Sequence, residues 1–97
     1  MPELQVIARY TISAGHEQEV LPLLEKLAEA SRSEPDNISF VAYRELNDAR
    51  NVILLERYAS REALAAHRET PHFKELALEQ IIPRLDSRTV ESYDVVD

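Results

Sequence analysis

Cysteine is absent from the 97 residues, which removes disulfides, thiolate nucleophiles and cysteine-ligated iron or zinc. Glycine occurs once, at Gly15. One glycine builds neither GxGxxG nor a phosphate-cradling P-loop, so the usual routes to NAD, FAD and ATP are closed and no cofactor is expected. No apolar run approaches the ~20 residues of a bilayer-spanning helix. The start, Met1-Pro2-Glu3, lacks the basic residues and apolar stretch of a secretory signal. Positive charge is scarce as well: eleven Lys and Arg face eighteen Asp and Glu, for a formal net charge of -7. Such a balance repels phosphate backbones and anionic bilayers, so neither nucleic acid nor membrane is an expected partner. A soluble cytoplasmic protein is the default.

Hydrophobic residues make up 44% and charged residues 30%, an ordinary globular balance, and the length suits one domain over residues 1–97. Residues 4–12 alternate, with Leu4, Val6, Ala8, Tyr10 and Ile12 on one side, which predicts a strand. Gly15 marks a turn into a helix from about His16 to Ser33, with Val20, Leu23, Leu24, Leu27, Ala28 and Ala30 on its stripe. Pro22 fits that helix badly, having no amide hydrogen, so the helix is expected to kink there or to begin later. Glu34-Pro35-Asp36-Asn37 breaks the pattern. A second strand then runs from Ile38 to about Leu46, with Ile38, Phe40 and Ala42 on one side, and a third from Val52 to Ala59, antiparallel to it. Ser60 caps a short helix through Ala63, Leu64 and His67, and Thr70-Pro71 caps a third with Phe73, Leu76, Ala77 and Ile81 on its stripe. Thr89 to Val95 alternates as the fourth strand. The order β-α-β-β-α-α-β predicts an α+β, ferredoxin-like sandwich: a four-stranded antiparallel sheet with helices on one face.

The other face of such a sheet should be polar if it meets water. Here Val52, Ile53, Leu54 and Leu55 are apolar on both sides of strand three. Ile7, Val41, Ile53 and Leu55 form the uncovered set, and at roughly 1.5 to 3 kcal/mol each their burial is worth about 6 to 12 kcal/mol. A two-fold homodimer, sheet packed on sheet, would bury them. The rival is a pattern that marks only one end of a well-tucked strand.

Histidines stand at 16, 67 and 72 only. On one helix the last two would sit about 140° apart, and no HExxH occurs, so a built-in zinc site has little support and no metal is expected. No serine lies in a GxSxG elbow. Glu56 shares a strand face with Val52, Leu54 and Tyr58. An unpartnered carboxyl there would have a raised pKa, while an edge acid paired with arginine is the ordinary alternative. His67 falls on the stripe that meets the sheet and suits proton transfer near neutral pH, although a satisfied structural histidine is the more common case. His72 is a second candidate, against an ordinary surface or capping role. Tyr43 and Tyr58 can hydrogen-bond a ligand or pack with a wet hydroxyl. Arg9 and Arg57 are either anion-holding or solvated.

The stretch Ala63-Leu64-Ala65-Ala66-His67-Arg68-Glu69-Thr70-Pro71-His72-Phe73 resembles the hallmark A-L-x-x-H-x-x-[ST]-x-H-F of the antibiotic biosynthesis monooxygenase superfamily. Glu34-Pro35 stands where that family commonly has Glu-Pro-Gly, and Leu55-Glu56-Arg57-Tyr58 is similar to its [VLI]-x-E-x-[WY]. Asp36 replaces the usual glycine, and Tyr58 the frequent tryptophan. Strand one has no asparagine of the kind used by the haem-degrading branch. The resemblance, nearest in style to small quinol monooxygenases, implies a dimeric α+β barrel. It also implies oxidation of a quinol or polyphenol by O₂ without metal or flavin. His67 would then be the base, Glu56 would orient it or a water, and His72 would be a second relay. Phe73, Leu64, Tyr43 and Tyr58 would wall the pocket of a small aromatic substrate. A proton-transfer isomerase acting on a small, phosphorylated substrate and a noncatalytic dimeric ligand-binding protein are the alternatives.

Overall fold

The computed structural model describes residues 2–96. The chain runs β1 (Glu3–Ile12), α1 (Glu17–Arg32), β2 (Asn37–Arg44), β3 (Asn51–Tyr58), α2 (Arg61–Arg68), a π-helix (Phe73–Ile81), a 3₁₀ turn (Ile82–Arg84) and β4 (Leu85–Val95). The strands form one antiparallel sheet in the order β2-β3-β1-β4, the ferredoxin-like arrangement. Period-two alternation sends Leu4, Val6, Ala8, Tyr10 and Ile12 from β1, and Val52, Leu54, Glu56 and Tyr58 from β3, to the helix-covered face. There Ala8, Tyr10, Ile12, Val52 and Leu54 pack against Val20, Leu24, Leu27 and Ala28 of α1 and Phe73, Ala77 and Ile81 of the π-helix, while Leu4, Val6 and Tyr58 pack against Ala63 and Leu64 of α2.

Three local expectations are corrected, and at Pro22 the later helix start is excluded: α1 begins at Glu17 and continues through the proline. Both Pro22 and Gln18, whose carbonyl loses its donor there, are exposed, so water can take the place of the missing bond. The third helix is wider than an α-helix, and its buried residues repeat every four positions, at Phe73, Ala77 and Ile81. Strand β2 stops at Arg44, leaving Leu46 outside it, and a register shift between Asn37 and Ser39 exposes Ile38 instead of aligning it with Phe40. Strand β4 begins four residues early, at Leu85. After the half-buried Leu85, the residues Asp86, Ser87 and Arg88 are polar and exposed, so pairing with β1 defines them and apolar alternation does not.

The opposite sheet face carries the apolar set anticipated from the sequence. Val41, Ile53 and Leu55 are exposed and Ile7 is half-buried, with the exposed Tyr43 and Tyr93 beside them. Arg9 pairs with Glu91, and Arg57 with Glu3 and Gln5, on that same face. Among the described residues no helix is long and apolar enough to cross a membrane.

Candidate active site

Helix α2 starts where the Ser60 hydroxyl accepts the Ala63 amide at 3.2 Å, and it buries Ala63, Leu64 and His67 against the sheet. Thr70 ends it: its hydroxyl donates to the His67 carbonyl at 2.7 Å and accepts the Phe73 amide at 3.2 Å. One side chain thus closes α2 and starts the next helix, with Pro71 at a position that requires no amide donor. His67 and His72 therefore do not share a helix, and the 140° separation expected from their spacing does not apply.

Both imidazoles converge on Glu34, in the turn after α1. His67 donates through Nδ1–H to Glu34 Oε2 at 2.8 Å, and His72 through Nε2–H to the same oxygen at 2.5 Å. His67 is only 3% exposed, with its ring centroid 5.1 Å from Phe73, 5.4 Å from Tyr58 and 5.9 Å from Phe40. Burial lowers its pKa below 6.5 and the Glu34 carboxylate opposes the shift, so the ring is neutral at pH 7. With the proton fixed on Nδ1, Nε2 keeps its lone pair. It makes no hydrogen bond among the described residues and is free to accept a proton.

Glu56 lies on interior strand β3, paired across to Val6 and Phe40, and not at the sheet edge. Tyr58 donates its hydroxyl to Glu56 Oε1 at 2.7 Å. Burial pushes the Glu56 carboxyl up to about 7, against the Tyr58 hydrogen bond and the positive charges of Arg68 and Arg88. Burial and the neighbouring Glu56 in turn push the Tyr58 phenol far up. A neutral imidazole and a carboxyl titrating near neutrality thus face one enclosed space, a pairing suited to moving protons in both directions.

That space is a cavity of about 20 Å³, room for one water, lined by Val6, Phe40, Leu54, Leu64, Phe73 and Val90, with Tyr10, Glu56, His67, Arg68 and Arg88 as its polar members. Of the residues proposed from sequence, His67, Glu56, Leu64 and Phe73 are on its wall. Tyr58 stands behind them, and His72 joins through Glu34. Tyr43 does not join; it is 53% exposed on the opposite sheet face, across from Ile53. Glu56 does not hold His67; Glu34 does. The Glu34-Pro35 pair was the only sequence signal for that carboxylate, and nothing marked Arg68 or Arg88.

His67 Nδ1, His72 Nε2 and a Glu34 oxygen lie within 4.8 Å of one another, a donor set that suits late first-row divalent ions. Their present separations are those of hydrogen bonds, which a metal would have to replace. The turn that supplies Glu34 forms without a positive φ at Asp36; among the described residues only Gly15, at φ 87°, takes that region.

Residues 4–77 match the family described as antibiotic biosynthesis monooxygenase. A solved antibiotic biosynthesis monooxygenase is 30% identical, with 97% of this chain and 99% of that one covered and a TM-score of 0.91. A Mycobacterium tuberculosis protein is 26% identical over 98% and 96% of the two chains, with a TM-score of 0.89. A putative antibiotic biosynthesis monooxygenase from Nitrosomonas europaea, 21% identical over 97% and 90%, shares the fold at a TM-score of 0.91. No curated protein matches the chain. The hallmark residues from Ala63 to Phe73, the element order and the matches agree: the chain belongs to the antibiotic biosynthesis monooxygenase family.

Proposed function

We propose that this protein is a cofactor-independent monooxygenase that oxidises a quinol or polyphenol with O₂ in the cytoplasm. One observation carries the reading: a buried imidazole, its Nδ1–H held by Glu34, leaves Nε2 free in an apolar chamber that also holds a carboxyl titrating near 7. His67 Nε2 removes a phenolic proton, and the phenolate, kept from water, is electron-rich enough to reduce O₂ itself. A quinol plus O₂ yields the hydroxylated quinone plus water, and protonated Glu56 supplies a proton to the departing oxygen. His72 and Glu34 hold His67 in place and connect it to the surface. The chamber must widen to take a ring, and the side chains at its mouth are the exposed Arg68 and Arg88.

Oxygen-electrode traces with reduced menadione and a panel of dihydroxyaromatics test the reading. Uptake above the autoxidation blank, with one hydroxyl added per O₂ consumed, is the expected result. No uptake across the panel removes it.

The working unit in this reading is a homodimer with sheet packed on sheet, because the open face keeps Val41, Ile53 and Leu55 in water otherwise. Leu55→Glu would place a carboxylate at the centre of the buried patch. The expected outcome is a sedimentation mass reduced from twice the chain mass to one chain, with the far-UV circular dichroism unchanged. A wild-type protein that sediments as one chain at micromolar concentration rejects the dimer.

A further inference from the structure

The chamber's charge is at odds with the rest of the molecule. The chain carries a formal charge of -7, yet two guanidinium groups, Arg68 at the end of α2 and Arg88 on β4, stand at the mouth of one small apolar cavity. Acidic partners are plentiful elsewhere and are used. Arg9, Arg50, Arg57, Arg61 and Arg84 each face a carboxylate. Arg32 and Arg44 donate to the carbonyls of Phe40 and Ala49. Arg68 and Arg88 form no ion pair among the described residues, although both are exposed and free to reach for one. Arg88 lies with its guanidinium carbon 5.9 Å from the centre of the Tyr10 ring, on the helix-covered side of the sheet beside Val90. The fixed charge that Arg68 and Arg88 act on is the buried Glu56 carboxyl of the same cavity, whose raised pKa leaves it only partly ionised near pH 7, so the two cations are incompletely balanced. A bound anion resolves that.

We propose that the substrate of this chamber is an aromatic acid, its ring enclosed by the apolar wall and its anionic group held at the mouth between Arg68 and Arg88. The inference rests on the chamber being the substrate site, as proposed above, and it narrows the substrate from any quinol to one bearing an acidic group. Guanidinium groups suit a planar carboxylate, which they can meet with two parallel hydrogen bonds. Overall negative charge would repel such a ligand, so any preference for it has to come from the mouth itself.

Anaerobic titration calorimetry with 2,5-dihydroxybenzoate and with uncharged hydroquinone separates the contribution of the acid from that of the ring. The acid should bind at least tenfold more tightly at low ionic strength, and the gap should narrow as salt is raised. In the Arg68→Gln/Arg88→Gln double variant, whose exposed substitutions leave the core untouched, the two affinities should converge to within about twofold. Equal affinities in the wild-type protein, a preference that survives in the double variant, or binding of neither ligand at millimolar concentration each overturns the inference. The oxygenase reading is judged separately: an acid that binds selectively but supports no O₂ uptake keeps the anion site and removes the oxidation.

Discussion

His67→Ala should lower the rate of O₂-dependent quinol oxidation by about 10² to 10⁴-fold, the range associated with a positioned general base. The size follows from the geometry. His67 is the one neutral imidazole on the chamber wall, and Glu34 holds its Nδ1–H at 2.8 Å, which leaves the other nitrogen as the base. The ring also packs against Phe73, Tyr58 and Phe40, so its loss leaves a hole as well as a missing base. Two measurements tell these consequences apart. Added imidazole should restore part of the rate, because the hole it enters keeps the Glu34 acceptor. Glu34→Gln, which retains shape but cannot carry the negative charge, should lower the rate while His67 remains in place. A His67→Ala protein that melts normally and oxidises quinol at the wild-type rate takes the role of base away from this residue.

The strands and the two helices of canonical width were legible because their signals are local: alternation in β1 and β3, and a stripe in α1 that tolerates Pro22 on its wet side. The open apolar face was legible for the same reason, since a strand apolar on both sides cannot hide both beneath one layer of helices. What escaped depends on distance along the chain. Glu34 and the two histidines are thirty-three and thirty-eight positions apart, and nothing in the turn Glu34-Pro35-Asp36 reveals which way its carboxylate points. Spacing even argued against the cluster, because two histidines five apart on one helix diverge. Thr70 ends that helix between them and reverses the conclusion. Tyr43 went astray through its residue type: a tyrosine on a strand suggests a ligand contact, but its parity with Val41 placed it on the opposite face from the start. The early start of β4 and the π-helix have no local signature, since strand pairing creates one and close packing against α1 accompanies the other.

Glu56→Gln should make the protein more stable than wild type by about 3 kcal/mol at pH 8 and leave it nearly unchanged at pH 4. The buried carboxyl titrates at about 7 instead of near 4.5. Because the folded pKa is raised, the folded state holds this proton more tightly than the unfolded chain does. Stability from this group is therefore complete below about pH 4.5, falls as pH rises, and levels off above about pH 7. At about 1.4 kcal/mol for each pH unit between those limits, the full loss is a little over 3 kcal/mol, on the order of the difference expected at pH 8. Glutamine resembles the protonated acid in shape and still accepts the Tyr58 hydroxyl, so the variant has nothing to lose as pH rises. His67 works in the opposite direction: its pKa is lowered, so its contribution is present above the unfolded value of about 6.5 and disappears as pH falls through the folded one. That contribution is common to both proteins and cancels in their difference, which is why urea denaturation of the pair at pH 4, 6 and 8 isolates the carboxyl. A difference that grows with pH supports a proton held on Glu56 near neutrality, the state in which it can donate to a departing oxygen. A flat difference, or one that shrinks with pH, means that Glu56 is ionised in the folded protein and cannot be that acid.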